Sequence, residues 1–256
     1  MGTVIFKRFN HLRVPLVGLA EGQNELAIDE ARYVRDVHHL RDGDTFVAFD
    51  PEKALEGDAT IVFVKRGVVR CEVCNVRRAE CVPPANTWLL LGLSQWDRFE
   101  WALREATALG VTDIVPTVCS RSSSSLGRLD RCVDASGESR RMTRWRKTLV
   151  QGARQSGRGD IPKLHGVCAL GESIALVPIT VMRVCLWERA TDPLGPLLRL
   201  TANGIALLIG PEGGFEFDEV ESARRLGFEV RSMRESILRT ETAVIAALGA
   251  WMLSRD

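Results

Sequence analysis

The stretch LLIGPEGGFEFDEV, Leu207 to Val220, runs from uninterrupted apolar residues into a Gly-Pro-Glu-Gly-Gly turn and out into carboxylates. It reads as the end of a buried strand, a glycine loop and the first turn of a helix, the junction from which α/β layers are built. Loops of this kind commonly hold phosphate or a dinucleotide, yet neither G-x-G-x-x-G nor G-x-x-x-x-G-K-[ST] is present. Glu216, Asp218 and Glu219 already answer the partial positive charge of the helix start, which disfavours an anion there. Pro211 fixes one backbone angle, while Gly213 and Gly214 permit positive φ and let a ligand lie against bare main chain. An uncharged or cationic ligand with hydrogen-bonding edges, such as an adenosyl group, fits this cradle; a tight turn with no ligand is the alternative.

Outward from that loop the texture is alternating strand and helix. TWLLLGLS reads as a buried strand, and DRFEWALREATALG as a helix with Phe99, Leu103, Ala106 and Leu109 on one face and Gly110 as its stop. TDIVPTV is the next strand, followed by a basic helix from about residue 139 to 155 and the strands VMRVCLW and IALLIG. A helix over about 218–226, the strand GFEVRSM and a helix over 240–253 complete the pattern. The last helix, AVIAALGAWML in its interior, is apolar nearly all round and is expected in a core or a subunit interface.

Before residue 83 the pattern differs. TVIFKRF, DTFVAFD, ATIVFVKRG and VVRCEVCNV read as short strands separated by DGD and EGD turns, with one helix around DEARYVRDVHHL, a combination that suggests a small barrel or sandwich. The prolines of CVPPANT interrupt both kinds of element, so the boundary is placed there, giving domains over 1–82 and 83–256.

The 256 residues are 45% hydrophobic and 26% charged, ordinary for a globular protein. No apolar run approaches the roughly 18 residues that cross a bilayer, and MGTVIFKRFN lacks the apolar stretch of a signal peptide. The expectation is a cytoplasmic protein with no membrane or DNA partner. Seven cysteines fit reduced thiols better than a disulfide framework. Cys71 and Cys74 form a lone C-x-x-C without a second pair, so no metal is expected.

The net charge of +1 conceals an asymmetry: between Arg121 and Arg158 ten basic residues face three acids, which leaves 24 basic and 30 acidic residues elsewhere. From Ser139 to Arg158 there is no acid at all. An exposed helix ordinarily mixes signs, so a polyanion-binding face, RNA phosphates above all, competes with the plainer reading of a solvated basic helix. In SILRTETA, Arg239 is a fork-shaped donor at the mouth of the final helix, with Thr240 and Glu241 suited to its first turn. A salt bridge from Arg239 to Glu241 or Glu212 is the structural alternative to a role in chemistry.

DRFEWALREATALGV, RWRKTLVQGARQSGR with IP following, LLIGPEGGF with DEV following, and ILRTETA together resemble the bacterial ribosomal RNA uridine N3-methyltransferases that act on small-subunit (16S) rRNA. The resemblance covers most of residues 87 to 250, with an echo in HLRDGD near the N-terminus. It implies an α/β, SPOUT-type trefoil-knotted parallel sheet with helices on both faces, preceded by a small PUA-like β-barrel. It further implies S-adenosylmethionine as cofactor, a homodimer, and as substrate rRNA in an assembled or nearly assembled subunit.

Carried over by position, the cofactor would meet Leu186, Trp187 and Glu188, then Ile209, Gly210, Pro211 and Gly213, then Met233, Ser236, Ile237 and Leu238, with Thr242 and Ala243 closing the site. Arg239 would stabilise charge on the uracil carbonyls while Glu212 or Glu241 takes the N3 proton. Arg41, Arg98, Arg144, Lys147, Arg154, Gln155 and Arg158 would hold rRNA. The family usually has Leu-Gly where this chain has Met233-Arg234, and lysine and glutamate at Arg104 and Ala108. Two other functions share these features: a non-catalytic RNA-binding protein of the same fold, and a methyltransferase of the same class acting on guanine N1 or a ribose 2′-hydroxyl.

Overall fold

A computed structural model of the chain describes residues 12–65, 67–122, 139–199, 203–233 and 236–255. The expected strand TVIFKRF and Arg234 lie outside the described residues. The chain divides into two compact units, one running to Val82 and taking in Ala153–Ile161, the other comprising Pro83–Gly152 and Pro162 onward. The first unit thus recruits a segment from well past the expected boundary at residue 82.

In the first unit, β1 (Arg13–Pro15), β2 (Gly22–Glu25), β3 (Thr45–Asp50), β4 (Leu55–Lys65) and β5 (Val68–Arg78) form a five-stranded sheet in the order β1-β3-β4-β5-β2. The short strands β1 and β2, which the sequence reading did not anticipate, are its edges. The pair β4–β5 is antiparallel with two register shifts, and its alternation puts Ala59, Ile61, Val69, Cys71 and Val73 into a core with Val14, Phe46, Ala48 and Val34. Burial pushes the Cys71 thiol up to about 11, while Cys74, an odd number of positions along the strand, is exposed. The two thiols of the C-x-x-C therefore face opposite ways. The helix expected over DEARYVRDVHHL is α1 (Ile28–Arg32) continued by a π-helical turn, Tyr33–Val37. Ala31 and Val34 face the core.

The second unit is an α/β layer. It contains β6 (Asn86–Gly92), α2 (Trp96–Ala108), β7 (Asp113–Val118), α3 (Arg140–Ser156, ending in the first unit), β8 (Lys163–Leu164), β9 (Cys168–Ala169) and α4 (Leu170–Ala175). It continues with β10 (Met182–Leu186), α5 (Leu194–Leu198), β11 (Gly204–Ile209), α6 (Phe217–Arg225), β12 (Glu229–Arg231) and α7 (Thr240–Leu253). The sheet runs β12-β10-β11-β6-β7-β8, with β9 also on β7, and every pairing is parallel.

Parallel strands buried on both faces carry continuous apolar runs, which is why β11 is GIALLI and is buried at every position. Leu90, Val115, Cys185, Ala206 and Leu208 meet Ile174 of α4 and Val220 and Ala223 of α6 on one face. On the other face α7 packs on β11 and α2, and the Trp251 indole N–H donates to the Thr87 hydroxyl at 3.0 Å. Each leucine in this sheet that is fully buried contributes about 2 kcal/mol relative to exposure. α7 begins and ends where its apolar pattern places it, but Ala250, Met252 and Leu253 are exposed.

α3 is anchored by Trp145, fully buried with its ring 4.6 Å from that of Phe99 and 6.0 Å from that of Trp96, both on α2. A glycine inside a helix costs about 1 kcal/mol. Gly152 has its reason in packing, since a β-carbon there would stand 2.9 Å from the Arg104 carbonyl oxygen. Among the described residues no helix is long and apolar enough to cross a membrane, and no three of His, Cys, Asp and Glu group closely enough to hold a metal.

Candidate active site

Three loops at the C-terminal ends of neighbouring strands of the second unit enclose a cavity of about 690 Å³, within the range of small-molecule sites. Crevices beyond the carboxyl ends of parallel strands are where open α/β sheets bind ligands.

The first loop leaves β10. Leu186, Trp187 and Glu188 line the cavity, and the Trp187 amide donates to the Arg231 carbonyl at 2.9 Å, continuing the β10–β12 ladder into the loop. The second is the glycine loop after β11, closed by a hydrogen bond from the Gly214 amide to the Pro211 carbonyl at 2.9 Å. Gly214 has φ of 72°, a left-handed conformation that glycine adopts without penalty. Behind this loop stands Gly92 at the end of β6, where a β-carbon would lie 2.6 Å from Cδ of Pro211. The Phe215 ring sits beneath Gly210. From α7 the Thr240 hydroxyl donates to the Gly210 carbonyl at 3.0 Å.

Of the acids behind the loop, Glu216 and Glu219 are engaged at the helix start and also by residues outside it. The Glu219 carboxylate accepts from the Glu216 amide at 2.8 Å and from the Ser120 amide at 2.8 Å. Arg121 donates to Glu216 at 2.7 Å and to the Gly213 carbonyl at 3.0 Å. Exposed pairs of this sort contribute little stability, but together they fix the loop's outer side.

The third loop joins β12 to α7. Its first residue is held by the Ser232 amide donating to the Asp192 carbonyl at 2.8 Å. Met233, Ser236, Ile237, Leu238 and Arg239 line the cavity, as do Ile209, Gly210, Pro211, Glu212 and Gly213 opposite. Ala243 lines it too, whereas Thr242 and Glu241 do not. Helical geometry separates them: on α7 Thr240 and Ala243 share the inward face, Thr242 is exposed, and Glu241 is 3% exposed with Oε2 lacking a hydrogen-bond partner.

Glu212 is paired with Arg98, Nη1 to Oε1 at 2.8 Å, and both line the cavity. Arg98, expected to bind RNA, is thus a wall residue. The salt bridge from Arg239 to Glu212 or Glu241 that the sequence left open is not formed among the described residues. The sequence reading missed Ala190, Thr191 and Ser232, which also line the cavity. They carry no motif: Ala190 and Thr191 continue the loop after β10 past Glu188, and Ser232 directly precedes Met233.

The remaining RNA candidates separate. On α3, Arg140, Arg144, Lys147 and Gln151 form one exposed stripe, while Gln155, also exposed, belongs to the first unit; Arg144 also reaches Glu100 at 2.7 Å. Arg154 and Arg158 belong to the first unit. Arg154 lies 3.9 Å from the Tyr33 ring centroid and 3.1 Å from Glu30, and burial lowers its pKa. Arg158 is 2% exposed, and its Nε and Nη2 donate to the Asp160 carboxylate at 2.9 and 2.8 Å. Arg41 is exposed beside the turn in which its amide meets Asp44 at 2.7 Å.

The model of the RNA methyltransferase domain family matches residues 82–252. Among curated proteins, the ribosomal RNA small subunit methyltransferase E of Bacillus subtilis is 25% identical over 229 residues, 87% of this chain and 86% of that one. Its namesake in Mycobacterium bovis is 28% identical over 238 residues, 87% of this chain and 83% of its own. Among solved structures, a ribosomal RNA small subunit methyltransferase E from Neisseria gonorrhoeae bound to S-adenosyl methionine superimposes with a TM-score of 0.81 at 25% identity, covering 94% of this chain and 96% of that one.

Proposed function

This chain belongs to the RNA methyltransferase domain family, and from that membership we propose that it transfers a methyl group from S-adenosylmethionine to N3 of a uridine in small-subunit ribosomal RNA. The observation that carries the reading is the cavity at the ends of β10 and β11, built on the glycine loop and lined by both Glu188 and Glu212. The cofactor supplies an activated methyl on a positively charged sulfur. Carboxylates on the wall, bare backbone at Gly210 and Gly213, and the absence of a phosphate fingerprint suit such a cation with an adenosyl group. The similarity to relatives named for small-subunit rRNA methylation supports the substrate, and the family resemblance supports uridine N3.

For the base, this reading has Arg239 donate to the uracil carbonyls as negative charge develops and Glu212 accept the N3 proton. Glu212 is preferred to Glu241 because it lines the cavity and Glu241 does not, and Arg98 holds the Glu212 side chain in place. The exposed stripe of α3 supports contact with the rRNA backbone. A trefoil knot in the parallel sheet and a PUA-like barrel in the first unit belong to this reading. So does a homodimer, which would cover the apolar outer side of α7 at Ala250, Met252 and Leu253.

The test is methylation of small-subunit rRNA by the purified protein, read by nucleoside mass spectrometry for 3-methyluridine. Arg239→Ala is expected to lower turnover about a hundredfold with rRNA and cofactor affinities unchanged, the scale seen when one donor to a developing anion is removed. Full turnover in that variant removes Arg239 from the chemistry, and no 3-methyluridine from the unaltered protein sinks the function.

A further inference from the structure

The segment GGFEFDE carries two phenylalanines that the fold treats in opposite ways. Phe215 is 4% exposed beneath Gly210, whereas Phe217, the first residue of α6, is 61% exposed. A single exposed aromatic is unremarkable on most surfaces. This one has an aromatic neighbour: its ring centroid lies 6.3 Å from that of Trp187, with the planes inclined at 58°, within the range of interacting aromatic pairs. Trp187 lines the cavity, and so does Ile237, which is 82% exposed on the β12–α7 loop. The cavity therefore has apolar surface in Trp187 and Ile237 among the same wall residues as Arg239, and the exposed Phe217 ring adjoins it through Trp187.

We propose that Phe217, backed by Trp187, is the stacking platform for the base that is methylated. This rests on the methyltransferase function proposed above. A base withdrawn from its own stack loses its neighbours' faces, and an aromatic ring at the entrance replaces one of them without regard to hydrogen-bonding edges. Phe217 then positions the ring that Arg239 and Glu212 read along its edge. Phe217 stands outside the lining of the cavity, so replacing it leaves the wall residues assigned to the cofactor in place.

The experiment uses the full-length protein with small-subunit rRNA, measuring kcat and KM for methylation, S-adenosylmethionine affinity by calorimetry, and self-association by sedimentation. Phe217→Ala is expected to raise KM for rRNA about tenfold or more, with kcat less affected and cofactor affinity unchanged. Phe217→Tyr restores KM, and Phe217→Leu does not. Unchanged KM in Phe217→Ala, rescue by Phe217→Leu, or loss of self-association or cofactor binding in Phe217→Ala each overturns the proposal. An unaltered protein that binds cofactor but methylates no rRNA overturns the function instead, so the two failures are distinguishable.

Discussion

The start of α3 and the stretch from its last turn to Arg158 carry the same charge in one acid-free run, and the fold uses them in opposite ways. Arg140, Arg144 and Lys147 stand on an exposed stripe. Arg154 lies against Tyr33 and Glu30, and Arg158 is buried against Asp160. A run of basic residues in sequence counts charges, while the surface is decided by what packs on each turn of the helix. The lack of acids between Ser139 and Arg158 thus leaves neither end without acid partners from outside the run: Arg144 reaches Glu100 from an exposed position, while Arg154 and Arg158 are drawn in against Glu30 and Asp160.

The contrast breaks most visibly at Arg158. Arg158→Ala removes a buried cation and leaves Asp160 unpaired, so stability should fall by about 3 kcal/mol, read from the midpoint of urea unfolding; an unchanged midpoint would mean the burial has no consequence. Arg154→Ala removes a partly desolvated cation–π pair and an ion pair, an expected cost of about 1–2 kcal/mol, and Arg154→Lys should recover only part of it because the planar fork is gone. At the other end, Arg140→Ala combined with Lys147→Ala should leave the unfolding curve within about 0.5 kcal/mol of the original. Its effect belongs in rRNA binding: for single-stranded rRNA the slope of log affinity against log salt should shrink by about 0.7 for each phosphate no longer neutralised. If the slope is unchanged, the exposed stripe is a solvated helix face and nothing more.

Legibility followed the same division. The strand–loop–helix unit around Gly210–Gly214 could be read from sequence because its causes are local: an apolar run, glycines at the turn and carboxylates at the helix start. The ends of α7 were equally plain from its composition. What lay beyond reach was set by partners distant in the chain. The Arg98–Glu212 pair joins α2 to the glycine loop, and nothing in either motif points to the other. Ser232 and Thr191 carry no motif, and the two loops that hold them are joined where the Ser232 amide donates to the Asp192 carbonyl. The short strands β1 and β2 have too few residues to display a period. Thr242 shows another limit: carried over by position from the family resemblance, it is turned to solvent by the helix.

Gly92 sits far from the loop it faces in sequence, yet any larger residue there would collide with the Gly210–Pro211 backbone. The cradle is therefore cast against the neighbouring strand, and its contour is inherited from the spacing of the sheet. A residue outside the cavity can then veto changes in a loop that lines it. Any redesign of the cavity therefore has to keep the glycine at the end of β6, whichever residue of the visible wall is altered.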